Sequence, residues 1–406
     1  MWGKFSLINQ GCRLNAAESQ KIIEELQKKG WVFTSPESAS VIIINSCAVT
    51  HRAESDFRKL VRKIRRENPA GKIIAIGCLV DFNEDEASMA DLYLKNREKM
   101  SLPDLLEAAG NETELSRWKA RGFLKVQEGC DLGCTYCIIP ELRGKSRSVS
   151  LSDIENRMEE LLEAGYEEVV ITGIHLESYG RDLGDREGFL GLLRFLEKYF
   201  PDVRFRISSL DPRYLTDKLL DYILSAPHIM PGFHLSFQHY SNKILKLMGR
   251  GTNKGFMKIL ERIKSAIPHA GIGTDFIVGF PGEDEDDFRE LLDFAEQAPL
   301  TYFHVFSFSP RPGTGAAELK PRVPERIAGE RSRILRKMAE KKKRTFLLSL
   351  KGKILEGTVI KNGEALLENY VSIKFSEGST FPGKRVKFLV TAVNIEENYL
   401  FGKIPK

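Results

Sequence analysis

Chemistry is densest at Val126-Gln-Glu-Gly-Cys130-Asp-Leu-Gly-Cys134-Thr-Tyr-Cys137-Ile-Ile-Pro140, where three cysteines stand with three and then two residues between them. They follow a β-rich run, Gly122-Phe-Leu-Lys-Val-Gln. Three thiolates on one tight loop can hold three corners of a cubane iron–sulfur cluster, which leaves the fourth iron without a protein ligand. Such an open iron is built to bind something and react. The competing uses are a zinc loop or a disulfide knot. Structural zinc usually closes with four ligands, and no His or fourth Cys lies nearby. The three cysteines are also too close to pair neatly with one another.

Three further cysteines sit where strands should end. Lys4-Phe-Ser-Leu-Ile-Asn reads as a strand, Ala16 to Lys29 as a helix closed by Gly30, and Val41-Ile-Ile-Ile-Asn as a buried strand. A basic helix from about Ala53 to Glu67 and a strand at Gly71-Lys-Ile-Ile-Ala-Ile follow. This alternation predicts a parallel sheet in a small doubly wound domain, whose ligands collect at the carboxyl ends of strands. Cys12, Cys47 and Cys78 each follow one strand and would converge on one point. That makes a second three-thiolate site. Buried packing cysteines are the plainer use, but all six cysteines divide as three plus three with none left over.

At 406 residues two or three domains are expected, and 42% hydrophobic with 29% charged residues describes a globular chain. No apolar run approaches membrane-spanning length. The first residues lack a charged-then-apolar signal pattern, so a cytoplasmic protein is expected, with cysteines serving metal or redox chemistry. The net charge of +5 is unevenly spread: residues 51–66 carry seven Arg and Lys against Glu54 and Asp56. In that helix Phe57, Leu60, Val61 and Ile64 form an apolar stripe. Arg58, Arg62 and Arg65 flank it, with Lys59, Lys63 and Arg66 beyond, a surface able to track phosphates or simply to stay solvated.

The Cys-x-x-x-Cys-x-aromatic-Cys pattern, with Tyr136 in the aromatic place, resembles the radical S-adenosylmethionine (SAM) superfamily. The resemblance implies that SAM chelates the open iron and that one electron then yields a 5′-deoxyadenosyl radical. Gln10-Gly-Cys12-Arg-Leu-Asn15-Ala-Ala-Glu18-Ser19, Asn45-Ser-Cys47-Ala-Val-Thr50 and Gly77-Cys78 resemble the N-terminal domain of radical SAM methylthiotransferases. Cys47-Ala-Val-Thr-His-Arg-Ala-Glu-Ser-Asp and Arg65-Arg66-Glu67-Asn68-Pro69 are most similar to the branch acting on threonylcarbamoyl-adenosine in tRNA. Two 4Fe-4S clusters are thereby implied: Cys130, Cys134 and Cys137 for SAM cleavage, and Cys12, Cys47 and Cys78 for presenting sulfur. The implied reaction is methylthiolation at C2 of N6-threonylcarbamoyl-adenosine beside the anticodon. Related branches act on isopentenyl-adenosine in tRNA or on a ribosomal-protein aspartate. From the residues alone, a non-catalytic iron–sulfur RNA-binding or electron-transfer protein stays open.

Residues 121 to about 310 again alternate, with strands expected at Phe123–Gln127, Glu168–Thr172, Val203–Ser208, Phe233–Phe237, Ile272–Val278 and Phe303–Phe308. Five helical patterns separate them, which suits a partial (β/α)6 barrel with active groups at the carboxyl ends of the strands. By resemblance Tyr136, Gly173, Ser208, Ser209, Gln238, Asp275, Gly279 and Phe306 line the SAM site. Asn15, Arg143 and Arg147 join Arg58, Arg62, Arg65 and Arg66 as RNA-facing candidates. Glu141-Leu142 and His239-Tyr240 depart from the family pattern. Residues 81–120 read as a link. After a basic helix over 325–346, four β-runs at Lys353–Ile360, Ala365–Phe375, Arg385–Asn394 and Tyr399–Lys403 predict a small antiparallel barrel, by resemblance the RNA-binding TRAM domain. Its aromatics Tyr370, Phe375 and Phe388 either fill the core or stack on a base. The expected fold is therefore α/β with three domains: residues 1–115 with a flavodoxin/Rossmann-like sheet, 116–340, and 341–406. Expected partners are the tRNA anticodon loop and an electron donor such as flavodoxin or ferredoxin; a monomer is expected, and no membrane.

Overall fold

Every residue of the β-branched run Val41–Ser46 is buried, which makes it the centre of the N-terminal sheet. The computed structural model describes residues 3–106, 119–376 and 381–405. Strands β1 (Lys4–Asn9), β2 (Val32–Phe33), β3 (Val41–Ser46), β4 (Lys72–Gly77) and β5 (Leu92–Leu94) pair all-parallel in the order β2-β1-β3-β4-β5. This is the flavodoxin-type order. Asn9 pairs with Asn45, and Asn45 with Ile76. The exits of β1, β3 and β4 are thus adjacent and level, and each leads within three residues to Cys12, Cys47 or Cys78. Helix α1 (Arg13–Lys28) begins at Cys12. Helix α2 (His51–Glu67) is capped by the Thr50 hydroxyl, which accepts from the Ala53 N–H. Phe57, Val61 and Ile64 of α2 are buried against Ile42, Ile44 and Ile73.

Residues 78–106 do more than link. They supply β5 and place Leu102 in the core beside Phe5 and Ile22. The division expected near residue 115 lies outside the described residues.

The central region has two parallel sheets. Gly122–Lys125, Glu168–Thr172 and Arg204–Ile207 form one; Ser209–Leu210, Gly232–Gln238, Gly271–Val278 and Tyr302–Ser307 form the other. Ser208 breaks the third expected strand in two, and the whole reads as an open wall of six staves. Helices Leu151–Glu163, Gly188–Tyr199, Asp217–Ser225, Phe256–Ala266 and Glu285–Gln297 alternate with the strands, burying their apolar residues in one continuous core.

A single helix, Glu325–Ser349, joins the last two regions. Leu335 belongs to the central core, while Phe346 and Leu347 belong to the C-terminal one. The division expected at residue 340 falls inside this helix. Strands Ile354–Lys361, Glu364–Leu367, Ser372–Phe375, Arg385–Asn394 and Tyr399–Lys403 close into a barrel. It differs from the expectation in two respects. The run Ala365–Phe375 folds back on itself at Tyr370, whose φ of 66° breaks the strand. Ser372–Phe375 and Tyr399–Lys403 pair in parallel, the other pairs being antiparallel. Phe375 and Phe388 fill the barrel core; Tyr370 leaves it.

Candidate active site between two cysteine sets

Cys12, Cys47 and Cys78 from one sheet and Cys130, Cys134 and Cys137 from the loop after Gly122–Lys125 line the same cavity, of about 630 Å³. Cys12 has accessible surface yet is surrounded by protein, because that surface opens into the cavity. All six cysteines are free. Among the described residues no three His, Cys, Asp or Glu side chains gather tightly enough for a single metal ion.

The second cysteine loop is pinned by its backbone. The Cys130 N–H donates to Gly144 O (3.1 Å), Cys137 N–H to Cys134 O (3.1 Å), and Thr135 donates through N–H and Oγ1 to Met248 O (3.1 Å) and Leu247 O (2.8 Å). Gly129 has φ 71°, and a Cβ there would sit 2.0 Å from Lys145 O. Tyr136 meets Phe280 edge-on at 6.4 Å. Gln127 ties this loop to the next strand end: its Nε2 donates to Gly129 O (2.8 Å), while its Oε1 accepts from the Ile174 and His175 N–H groups (2.9 Å each).

Cations face both thiol sets. Arg250 Nη1 lies 3.8 Å and Arg213 Nη2 4.0 Å from Cys134 Sγ, both arginines being held by Asp211 at 3.1 and 2.6 Å. Arg143, fully buried at its side chain, reaches Glu18 (3.1 Å), Glu128 (2.9 Å) and Asn15 Oδ1 (2.8 Å). Burial raises the Cys12 thiol, and the Arg143 charge opposes that rise. Burial also pushes the Cys47 thiol up to about 11 and that of Cys137 to about 12. Free thiols there stay protonated at neutral pH, and a metal must displace those protons on binding. Three thiols per set with guanidinium charge against each suit an anionic cluster at both places.

Of the residues expected at the SAM site, Tyr136, Gly173, Ser208, Ser209, Gln238, Asp275 and Phe306 line the cavity. Gln238 holds φ 69°, a left-handed conformation uncommon outside glycine. Gly279 is not among the lining residues: a Cβ there would meet Ala328 Cβ at 2.5 Å, so this glycine admits the long C-terminal helix.

The RNA-facing candidates divide. Asn15 and Arg143 are buried cavity residues. Arg58 pairs with Glu86, and Arg65 with Asp91 at 2.9 Å, inside the N-terminal domain. Arg62, Arg66 and Arg147 remain exposed. The departures from the family pattern point elsewhere. Leu142 packs with Ala48 and Cys78, His239 is buried, and Tyr240 stacks on Phe294 at 3.9 Å; neither these nor Glu141 lines the cavity.

Sequence reasoning missed Arg213, Arg250 and Asp211. The glycines either side of Arg250, both at positive φ, were the available signal. Also missed were His175, which burial lowers to about 4, and Glu177, which burial raises to about 8. Both wall residues are thus uncharged near neutral pH.

Comparison with known proteins shows the family. The Radical SAM superfamily pattern matches residues 124–295, and that described as Uncharacterized protein family UPF0004 matches residues 4–94. The threonylcarbamoyladenosine tRNA methylthiotransferase MtaB of Aquifex aeolicus is 38% identical over 405 residues, covering 94% of this chain and 98% of that protein. The chain belongs to the methylthiotransferase family of radical SAM enzymes. The Thermotoga maritima MtaB is 32% identical, with 97% of both chains covered. A tRNA-2-methylthio-N(6)-dimethylallyladenosine synthase of Carboxydothermus hydrogenoformans is 34% identical over 80% of this chain and 81% of its own. In fold, the radical SAM methyltransferase TsrM of Kitasatospora setae superposes with a TM-score of 0.55 at 14% identity, over 78% of this chain and 77% of that one.

Proposed function

We propose that this methylthiotransferase adds a methylthio group at C2 of N6-threonylcarbamoyl-adenosine in tRNA. The observation that carries the proposal is that six thiols, in two sets from separate sheets, open on one cavity. Cys130, Cys134 and Cys137 would hold one 4Fe-4S cluster, and Cys12, Cys47 and Cys78 the other. When bound, the clusters and SAM supply one-electron cleavage of a C–S bond, the sulfur and the methyl group.

The chain's own residues then have distinct tasks. Arg250 and Arg213 offset negative charge at Cys134. Arg143, anchored by Glu18, does the same for Cys12 and fixes the N-terminal domain against the cysteine loop. Tyr136, Gly173, Ser208, Ser209, Gln238, Asp275 and Phe306 form the wall that seats SAM and keeps water away. The base must be unstacked to enter, which a single-stranded anticodon loop permits at least cost. Arg62, Arg66 and Arg147, all exposed, would meet its phosphates, and the C-terminal barrel acts as a TRAM-type RNA module. A one-electron donor such as flavodoxin or ferredoxin serves a monomer in the cytoplasm; among the described residues no helix is long and apolar enough to cross a membrane.

The test is nucleoside mass spectrometry of tRNA from cells lacking this protein. Loss of the methylthio form with accumulation of its threonylcarbamoyl precursor is the expected result. Persistence of the methylthio form in cells with no second such enzyme refutes the assignment.

A further inference from the structure

One cation lining the cavity has no ion pair among the described residues. Arg13, the residue after Cys12, lines the cavity. Its Nη1 is buried without a hydrogen-bond partner, and among the described residues it has no ion pair. Arg206 and Arg121 lie in the same region, and the one carboxylate they share is Glu168, which Arg206 grips directly and Arg121 approaches at 3.8 Å. Arg206 is further satisfied by the Glu368 and Leu367 carbonyls, at 2.9 Å each, which leaves Arg13 as the guanidinium of this region without an ion pair among the described residues. Arg13 is half-buried, and its Nη1, buried without a partner, is costly to leave so, which calls for an acceptor from outside the chain.

The floor is also rigid. Tyr370 of the C-terminal barrel has both Arg13 and Arg206 against its ring, their guanidinium carbons 5.0 and 4.5 Å from its centre. It packs where Gly232 has no side chain, since a Cβ there would meet the ring at 2.4 Å. Above it, Tyr302 lies across Gly273, and its hydroxyl is 3.3 Å from His234 Nδ1. His234 Nε2 in turn engages Asp275 at 3.0 Å, so that carboxylate is already partnered. Arg13 and Tyr302 line the same cavity.

We propose that Arg13, with the Tyr302 hydroxyl, receives the carboxylate of the threonylcarbamoyl group and so selects which N6-modified adenosine enters. This rests on the proposed function and deepens it. A guanidinium offers paired donors matched to a carboxylate. An apolar N6 substituent would leave the buried Arg13 Nη1 unpaired, which builds rejection of the wrong substrate into the same contact.

The experiment is equilibrium binding of anticodon stem-loop RNAs to the cluster-loaded, full-length protein. Three RNAs differ only in the adenosine: unmodified, threonylcarbamoylated, and the same group as its methyl ester. Wild type should bind the acid about 10- to 100-fold tighter than the ester, the range of one charge-assisted contact. Arg13→Gln should lose most of that preference, and Arg13→Lys should recover part of it. Iron and sulfide content of each variant verifies that the clusters are retained. Equal wild-type affinity for acid and ester overturns the inference, as does an Arg13→Gln protein that keeps the preference. A wild-type protein that favours neither modified RNA over unmodified refutes the proposed function itself, which separates the two failures.

Discussion

Replacing Arg143 by methionine removes a buried cation that joins the N-terminal domain to the region around the second cysteine set. Its guanidinium contacts Glu18, Glu128 and Asn15 with no exposed surface. Breaking a buried pair by removing one partner costs about 3–5 kcal/mol. Lys99 and Lys125 still face Glu18, and Lys125 still faces Glu128. The expected loss is therefore at the low end, about 3 kcal/mol. Arg143→Lys keeps the charge but loses the fork that serves three acceptors at once, and should cost roughly half as much. Trp31 is buried in the N-terminal core and reports on that domain. With Trp2 and Trp118 changed to phenylalanine, urea unfolding followed by Trp31 fluorescence gives the difference directly. In a background where Cys130, Cys134 and Cys137 are alanine, Arg143→Met should also lower iron retained by the other set. A loss below about 1 kcal/mol with unchanged iron retention would show that the network does not carry the domain contact.

The remaining expectations concern single groups. His239 is fully buried and burial lowers it to about 3; since its folded value lies below its unfolded one, stability is intact above pH about 6.5 and falls as pH drops. Between pH 6.5 and 5 this amounts to about 2 kcal/mol, and His239→Gln should flatten that stretch of the stability–pH curve by the same amount. Gln238→Gly should relieve about 1 kcal/mol of backbone strain while weakening SAM binding measured by calorimetry. Gly129→Ala should abolish iron loading at Cys130, Cys134 and Cys137, because its Cβ would lie 2.0 Å from Lys145 O. Arg62→Glu with Arg66→Glu should weaken tRNA binding and reduce its salt dependence by about 2 in slope. Arg65→Ala should lower domain stability instead, since Arg65 pairs with Asp91.

What was legible in the sequence is what local pattern encodes. Val41–Asn45 and Gly71–Ile76 announce a parallel sheet by their apolar density, and cysteines at the exits of those strands and of Lys4–Asn9 follow from its topology. The two- and three-residue strands Val32–Phe33 and Leu92–Leu94 carry too little pattern to be seen; pairing with β1 and β4 makes them strands. Arg250 and Arg213 stand far along the chain from Cys134 and meet it only because successive parallel strands deliver their ends to one rim. Lys99 looked like part of a polar link, yet it is buried against Glu18. Gly279 misled for the opposite reason: a glycine at a strand exit suits a cofactor wall, and here it serves helix packing.

If both cysteine sets open on one cavity, two clusters bound there must lie close enough for their unpaired electrons to interact. Anaerobically reconstituted wild type should hold about eight irons, and the Cys12/Cys47/Cys78→Ala and Cys130/Cys134/Cys137→Ala variants about four each. The electron paramagnetic resonance spectrum of the doubly reduced wild type should then differ from the sum of the two variant spectra through spin–spin coupling. A wild-type spectrum that equals that sum, or a variant that keeps about eight irons, would contradict two three-thiolate sites facing each other across a shared space.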